Sequence, residues 1–122
     1  MSKAILDTNA LVGFLVRGDT TLDYGLKKYD QLVILTQIIF ETVYILDKEY
    51  NLEREELVDL IAKVLRQKQI ESDRLVILNT LLKYRDNPNL SLVDCYLWCQ
   101  AQDMKCDILT SDKKLARRHR GD

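Results

Sequence analysis

Four short apolar runs, at residues 3–6, 32–35, 70–71 and 107–110, are each separated from the next by segments of helical periodicity. This alternation constrains the fold more than any other feature. A strand that reaches the next strand only through a helix crosses over and returns parallel, whereas antiparallel neighbours need only a tight turn. Helices are expected over 8–16, 19–29, 36–50, 53–67 and 72–84, from the Ser91 cap to 103, and in the tail. In 53–67, Leu57, Leu60, Ile61, Val64 and Leu65 form one apolar stripe, and acids crowd the first turn, where the helix dipole favours them. Segment 36–50, capped by Thr36, carries Ile38, Ile39, Phe40, Val43, Tyr44, Ile45 and Leu46 and reads as apolar on most sides. Asn87-Pro88-Asn89 is the clearest loop. The expected class is α/β: a central, mostly parallel sheet covered on both faces by helices. The 122 residues are expected to form a single domain, 1–122.

Several function classes fall away. The longest apolar neighbourhood, 32–40, is interrupted by Thr36 and Gln37 and is too short to span a bilayer. Asp7, directly after Ile5 and Leu6, does not suit a secretion signal. The cysteines Cys95, Cys99 and Cys106 are odd in number, and His119 is the single histidine, so neither a disulfide scaffold nor a Cys/His zinc site is supported. Cys95 and Cys99 read as small buried hydrophobes in a reducing cytoplasm. The glycines, Gly13, Gly18, Gly25 and Gly121, form no phosphate-cradling cluster. Net charge is −1 but uneven: residues 113–122 carry five cations and one acid, while the rest holds 13 basic and 18 acidic side chains. A basic end on an acidic body attracts a polyanion locally, or is simply a solvated helix.

Four acids stand out by position. Asp7 follows the first strand and Asp112 follows the expected last strand, at the carboxyl ends where open parallel sheets place their sites. Glu41 shares a helix face with Ile38 and Ile45, and Asp94 shares a stripe with Leu97, Trp98 and Ala101. Carboxylates near a core are costly without a partner, and converging ones repel unless a cation neutralises them. A hard divalent ion such as Mg²⁺ would suit an all-oxygen set and can activate water for phosphodiester cleavage. Each acid has a plain alternative as well. Asp7 and Asp112 can cap the helices that follow, Asp94 completes a capping box with Ser91, and Glu41 can be a solvent-facing edge. Thr8, Asn9 and Thr110 are short polar neighbours able to orient the carboxylates, or ordinary turn residues. Trp98 reads as core, and Tyr96 is left open between core and base stacking.

Leu6-Asp7-Thr8-Asn9, Glu41, Leu92-Val93-Asp94 and Leu109-Thr110-Ser111-Asp112, in this order over essentially the whole chain, resemble the PIN-domain family. Order and length look most like the VapC-type toxin ribonucleases of toxin–antitoxin modules. The resemblance implies a three-layer α/β/α domain and a Mg²⁺- or Mn²⁺-dependent endoribonuclease. Asp7, Glu41, Asp94 and Asp112 would then be catalytic metal ligands, and Thr8, Asn9 and Thr110 supporting residues. It also implies a small antitoxin partner and a homodimer. Lys113, Lys114, Arg117 and Arg118 fit contact with RNA phosphates. The chain departs from many relatives after the last motif: Lys113, Lys114 and Leu115 stand where an aromatic is common, and the next acid is Asp122.

The alternative keeps the fold without the enzyme, as a catalytically inactive RNA- or protein-binding module; the presence of all four acids speaks against it. A receiver-like phosphoryl acceptor at Asp7 ranks behind both. It would want a second acid beside the first strand's end and a lysine after a late strand. Leu6 and Thr8 flank Asp7, and Lys113 and Lys114 follow Asp112.

Overall fold

A computed structural model describes residues 2–120. The elements run β1 (Lys3–Ile5), α1 (Thr8–Val12), a π-helical turn (Gly13–Arg17), α2 (Thr21–Lys28), β2 (Gln31–Val33), α3 (Thr36–Lys48), α4 (Arg54–Leu65), β3 (Ile70–Glu71), α5 (Arg74–Asp86), α6 (Leu92–Met104) and α7 (Lys113–Arg120). The chain divides into two compact units, one up to Arg74 and one from Leu75 onward. Among the described residues, no helix is long and apolar enough to cross a membrane.

The first unit holds a three-stranded parallel sheet in the order β1-β2-β3. Ala4 pairs with Leu32, and Leu32 with Ile70, so β2 is the centre. Its apolar residues explain that position: Leu32 and the following Ile34 are buried, as a central strand requires. The crossovers are helical, as the alternation demands. On α3 the buried residues are Ile39, Thr42, Val43 and Leu46, a single i, i+3, i+4, i+7 stripe. On α4, Leu57, Val58, Ile61, Ala62, Val64 and Leu65 are buried. Helix α3 ends at Lys48, and Asn51 turns the chain with a left-handed φ of 54°.

The expected helix 8–16 is interrupted. After α1 the backbone widens into the π-helical turn, which Gly18 closes at φ 68°. Gly13 is required at its start by close approach: a Cβ there would lie 2.8 Å from the Asp19 Cβ and 3.2 Å from Arg17 Nη2.

In the second unit, α5 buries Ile77, Thr80, Leu81 and Tyr84, and α6 buries Leu92, Cys95, Cys99 and Ala101. Cys95 and Cys99 are thus buried as expected, and Cys106 is exposed. Helix α6 begins with the capping box: the Asp94 amide donates to Ser91 Oγ at 3.1 Å, and the Ser91 amide to Asp94 Oδ2 at 3.2 Å. Lys105, at φ 55°, ends it.

The expected strand at 107–110 is not one among the described residues, a correction to the sequence reading. A run becomes a strand only through a ladder of hydrogen bonds, and this run has none there. Leu109 is fully exposed, contrary to the buried strand its apolar character suggested.

Leu46, with no exposed surface, is expected to cost about 3 kcal/mol when cut to alanine. Gly13→Ala is expected to cost about 1–3 kcal/mol through overpacking. Urea unfolding of both variants measures these losses; an unshifted Gly13→Ala midpoint would show that the turn relaxes freely.

Candidate acidic site and basic face

The acids at element starts are set by the needs of helix N-termini. The first amides of a helix have no carbonyl within the helix to bond, and a nearby carboxylate supplies the acceptor. Asp7 stands between β1 and α1, and its Oδ1 accepts from the Ala10 amide at 2.8 Å. Asp94 completes the capping box of α6. Asp112 Oδ1 accepts from the amides of Lys114 and Leu115 at 2.9 and 3.3 Å and so caps α7. All three acid caps weighed in the sequence are therefore formed, whereas the expected Thr36 cap is not: Leu35 precedes α3 and no side chain caps it.

Capping occupies one oxygen of each carboxylate. An ionised carboxylate accepts at about four lone-pair positions, so the cap leaves most of its capacity open. Asp7 Oδ2, Asp94 Oδ1 and Asp112 Oδ2 have no hydrogen-bond partner among the described residues. A cap and a ligand role are thus compatible, with one oxygen locked and the other presented.

Glu41 differs from its expected setting. It is exposed, beside the half-buried Ile38 and Ile45 and off the buried stripe of α3. The apolar composition of this helix overstated its burial: one stripe is covered, and Glu41 lies on the solvent side. The desolvation cost argued for it therefore does not arise. Asp7 is likewise exposed, and Asp94 and Asp112 are half-buried.

The supporting residues hold other partners. Thr8 is buried at 8% exposure, and its hydroxyl bonds nothing among the described residues. Asn9 is engaged by Arg17, whose Nη2 donates to the Asn9 Oδ1 at 2.8 Å and to its carbonyl at 3.1 Å. Arg17 Nη1 reaches the Tyr50 hydroxyl at 3.1 Å. The π-helical turn thus delivers an arginine to the first turn of α1. The sequence reading missed Arg17; its flanking Gly13 and Gly18 were the available signal. The Thr21 hydroxyl and amide, donating to Asp19, hold its carboxyl below the usual carboxylate range. Thr110 Oγ1 accepts from the Asp112 amide at 2.9 Å, so it orients the backbone of Asp112.

Among the described residues, no three of Asp, Glu, His or Cys come together to hold a metal ion. Asp7 and Glu41 belong to the first unit, Asp94 and Asp112 to the second. Neither unit by itself offers three of the four acids. Each unit by itself thus carries one pair of these acids.

Lys113, Lys114, Arg117 and Arg118 are all exposed on α7, which Leu115 anchors at 1% exposure. His119 Nε2 lies 3.0 Å from the Cys106 carbonyl oxygen and ties the helix to the preceding segment. Asp122 lies outside the described residues. Trp98 is half-buried instead of core, with Lys83 Nζ 4.2 Å from its ring centroid. The Tyr96 hydroxyl accepts from Gln100 at 3.0 Å.

No curated protein and no solved structure matches the chain. The family model of the PIN domain matches residues 4–120, running across both units. This agrees with the parallel sheet and its helical crossovers, and with the three-layer α/β/α class expected from the sequence. With almost the whole chain matched, the protein belongs to the PIN-domain family.

Proposed function

We propose that this chain is an endoribonuclease that hydrolyses RNA phosphodiester bonds with the help of Mg²⁺ or Mn²⁺. PIN domains are generally nucleases that act on nucleic acid, usually with divalent metals, and the match over residues 4–120 carries the reading. Asp7, Glu41, Asp94 and Asp112 are the proposed catalytic and metal-binding acids. Three of them support it with a carboxylate oxygen left open by the cap. Thr110 supports Asp112 through its amide, and Thr8 and Asn9 open α1 directly after its Asp7 cap. The exposed cations of α7 suit a phosphate backbone.

The finer reading is a cytoplasmic VapC-type toxin, held in check by a small antitoxin and forming a homodimer. Exposed apolar side chains on α5 and α6, among them Leu75, Val93, Leu97 and Met104, suit a partner surface. A single nuclease domain over 1–122 is part of the proposal, since the family match runs unbroken past Arg74.

One observation favours a second reading, a catalytically inactive RNA- or protein-binding module: no three of the candidate ligands come together among the described residues. The acids' double role allows a sharp test. Asp94→Asn keeps an oxygen for the Ser91 amide and removes the charge, whereas Ser91→Ala breaks the box and keeps the carboxylate. Cleavage of a mixed RNA panel with Mn²⁺ is expected to fall in Asp94→Asn by more than the about 100-fold typical of a lost outer-sphere partner. Ser91→Ala is expected to lose about 1 kcal/mol of stability and to keep its turnover. Chelation should abolish cleavage by every form. Full activity of Asp94→Asn would remove Asp94 from the ligand set. A folded protein that neither cleaves RNA nor takes up Mn²⁺ in calorimetry would establish the binding module. Glu41→Gln should match Asp94→Asn, and the double variant should lose little more than either alone.

A further inference from the structure

The turn at residues 87–90 and helix α7, both in the second unit, enclose a cavity of about 220 Å³. Asn87, Pro88 and Asn89 form one wall, and Lys114, Arg117 and Arg118 the other. We propose that this cavity is a phosphate-binding pocket for the backbone of single-stranded RNA; as a statement about substrate it rests on the ribonuclease reading above.

The pocket is built by the fold. Positions 114, 117 and 118 are spaced i, i+3, i+4 and so share one face of α7. Leu115 and His119 occupy the neighbouring face and secure the helix, one by burial and one on the Cys106 carbonyl. The opposite wall is equally fixed. The Leu90 amide donates to the Asn87 carbonyl at 3.0 Å, closing the turn, and Leu90 is 2% exposed. Asn87 Nδ2 donates to the Lys83 carbonyl at 2.9 Å, which ties the turn to the end of α5. Pro88 stiffens the turn by fixing its own φ.

The lining chemistry selects an anion. No acid lines the cavity, and Lys114, Arg117 and Arg118 make no ion pair among the described residues. Two guanidinium groups offer planar forks that match phosphate oxygens in pairs, and the lysine adds a point charge. The Asn89 side chain is exposed and has no partner among the described residues, which leaves an amide for a sugar hydroxyl or a base edge. An acidic peptide is the competing ligand. Peptides that dock by a helix or strand rely on apolar anchors, and of the lining residues only Pro88 and the buried Leu90 are apolar. The polar lining therefore favours a phosphodiester. Lys113 is not among the lining residues, so of the four tail cations the cavity singles out three.

The test is fluorescence anisotropy of a labelled single-stranded RNA in EDTA, where binding is read without turnover. Arg117→Ala with Arg118→Ala is expected to weaken binding at least tenfold near 0.1 M salt. The slope of log K against log salt should shrink by about 1.4, two phosphate contacts at the single-strand value. Arg117→Lys with Arg118→Lys should keep the slope and recover part of the affinity, and circular dichroism checks that each variant is folded. Asn89→Asp, on the other wall, should weaken binding by placing a negative charge in the pocket. Unchanged affinity in the folded double-alanine variant overturns the proposal, as does failure of the wild type to bind RNA. Polyglutamate displacing RNA at equal or lower concentration overturns it in favour of an acidic protein partner. The two readings separate cleanly. Arginine-dependent binding without cleavage in Mn²⁺ would keep the pocket and remove the nuclease, whereas undiminished kcat/KM in the double-alanine variant would remove the pocket and keep the nuclease.

Discussion

The first amides of a helix must find an acceptor, and among the described residues carboxylates supply it for α1, α2, α6 and α7, with Asp19 accepting from the Thr21 amide of α2. Asp7 serves α1, Asp94 serves α6 and Asp112 serves α7. A buried or half-buried amide left without a partner costs about as much as a lost hydrogen bond, so these acids are fixed in place by local folding before any ligand is considered. The cap also sets each side chain's orientation, since one oxygen is committed to the helix. What remains is a second oxygen whose position is inherited from the backbone. A short chain thereby gains oriented carboxylates at the starts of its helices without spending core volume on them.

Much of this architecture was legible in the order of the residues. The parallel pairing of β1, β2 and β3 follows from their separation by helices, and the stripe of α4 follows from its apolar spacing. Capping was legible where Asp or Ser stands immediately before an apolar periodic run, and failed at Thr36, which is the first residue of α3 and makes no cap bond. Two things were not legible. Burial of α3 could not be judged from composition, because Ile38, Phe40, Tyr44 and Ile45 reach the surface or its edge while only one stripe is fully covered. The run at 107–110 could not be judged either, because strand formation depends on a partner elsewhere in the chain. Arg17 illustrates a third kind of gap. Its contacts with Asn9 and Tyr50 depend on a π-helical turn, and a periodicity argument built on 3.6 residues per turn passes over such a turn.

The charge distribution and the candidate site obey one electrostatic logic. Outside residues 113–122 the chain carries a net excess of acid, which disfavours a polyanion on balance. The tail reverses that sign on one short helix. In the proposed function, the face of α7 bearing Lys114, Arg117 and Arg118 is where a nucleic-acid backbone would be held. Under the proposed function, carboxylates that take a cation and arginines that take a phosphate would have to be kept from pairing with each other. In this chain they are. Lys114, Arg117 and Arg118 make no ion pair among the described residues, and the open oxygens of Asp94 and Asp112 have no donor there. Charges left unpaired within one small unit raise its self-energy slightly at the surface, where screening by water and salt keeps the cost low. That arrangement leaves these groups accessible to ions and partners that arrive from solution, as the proposed function requires of them.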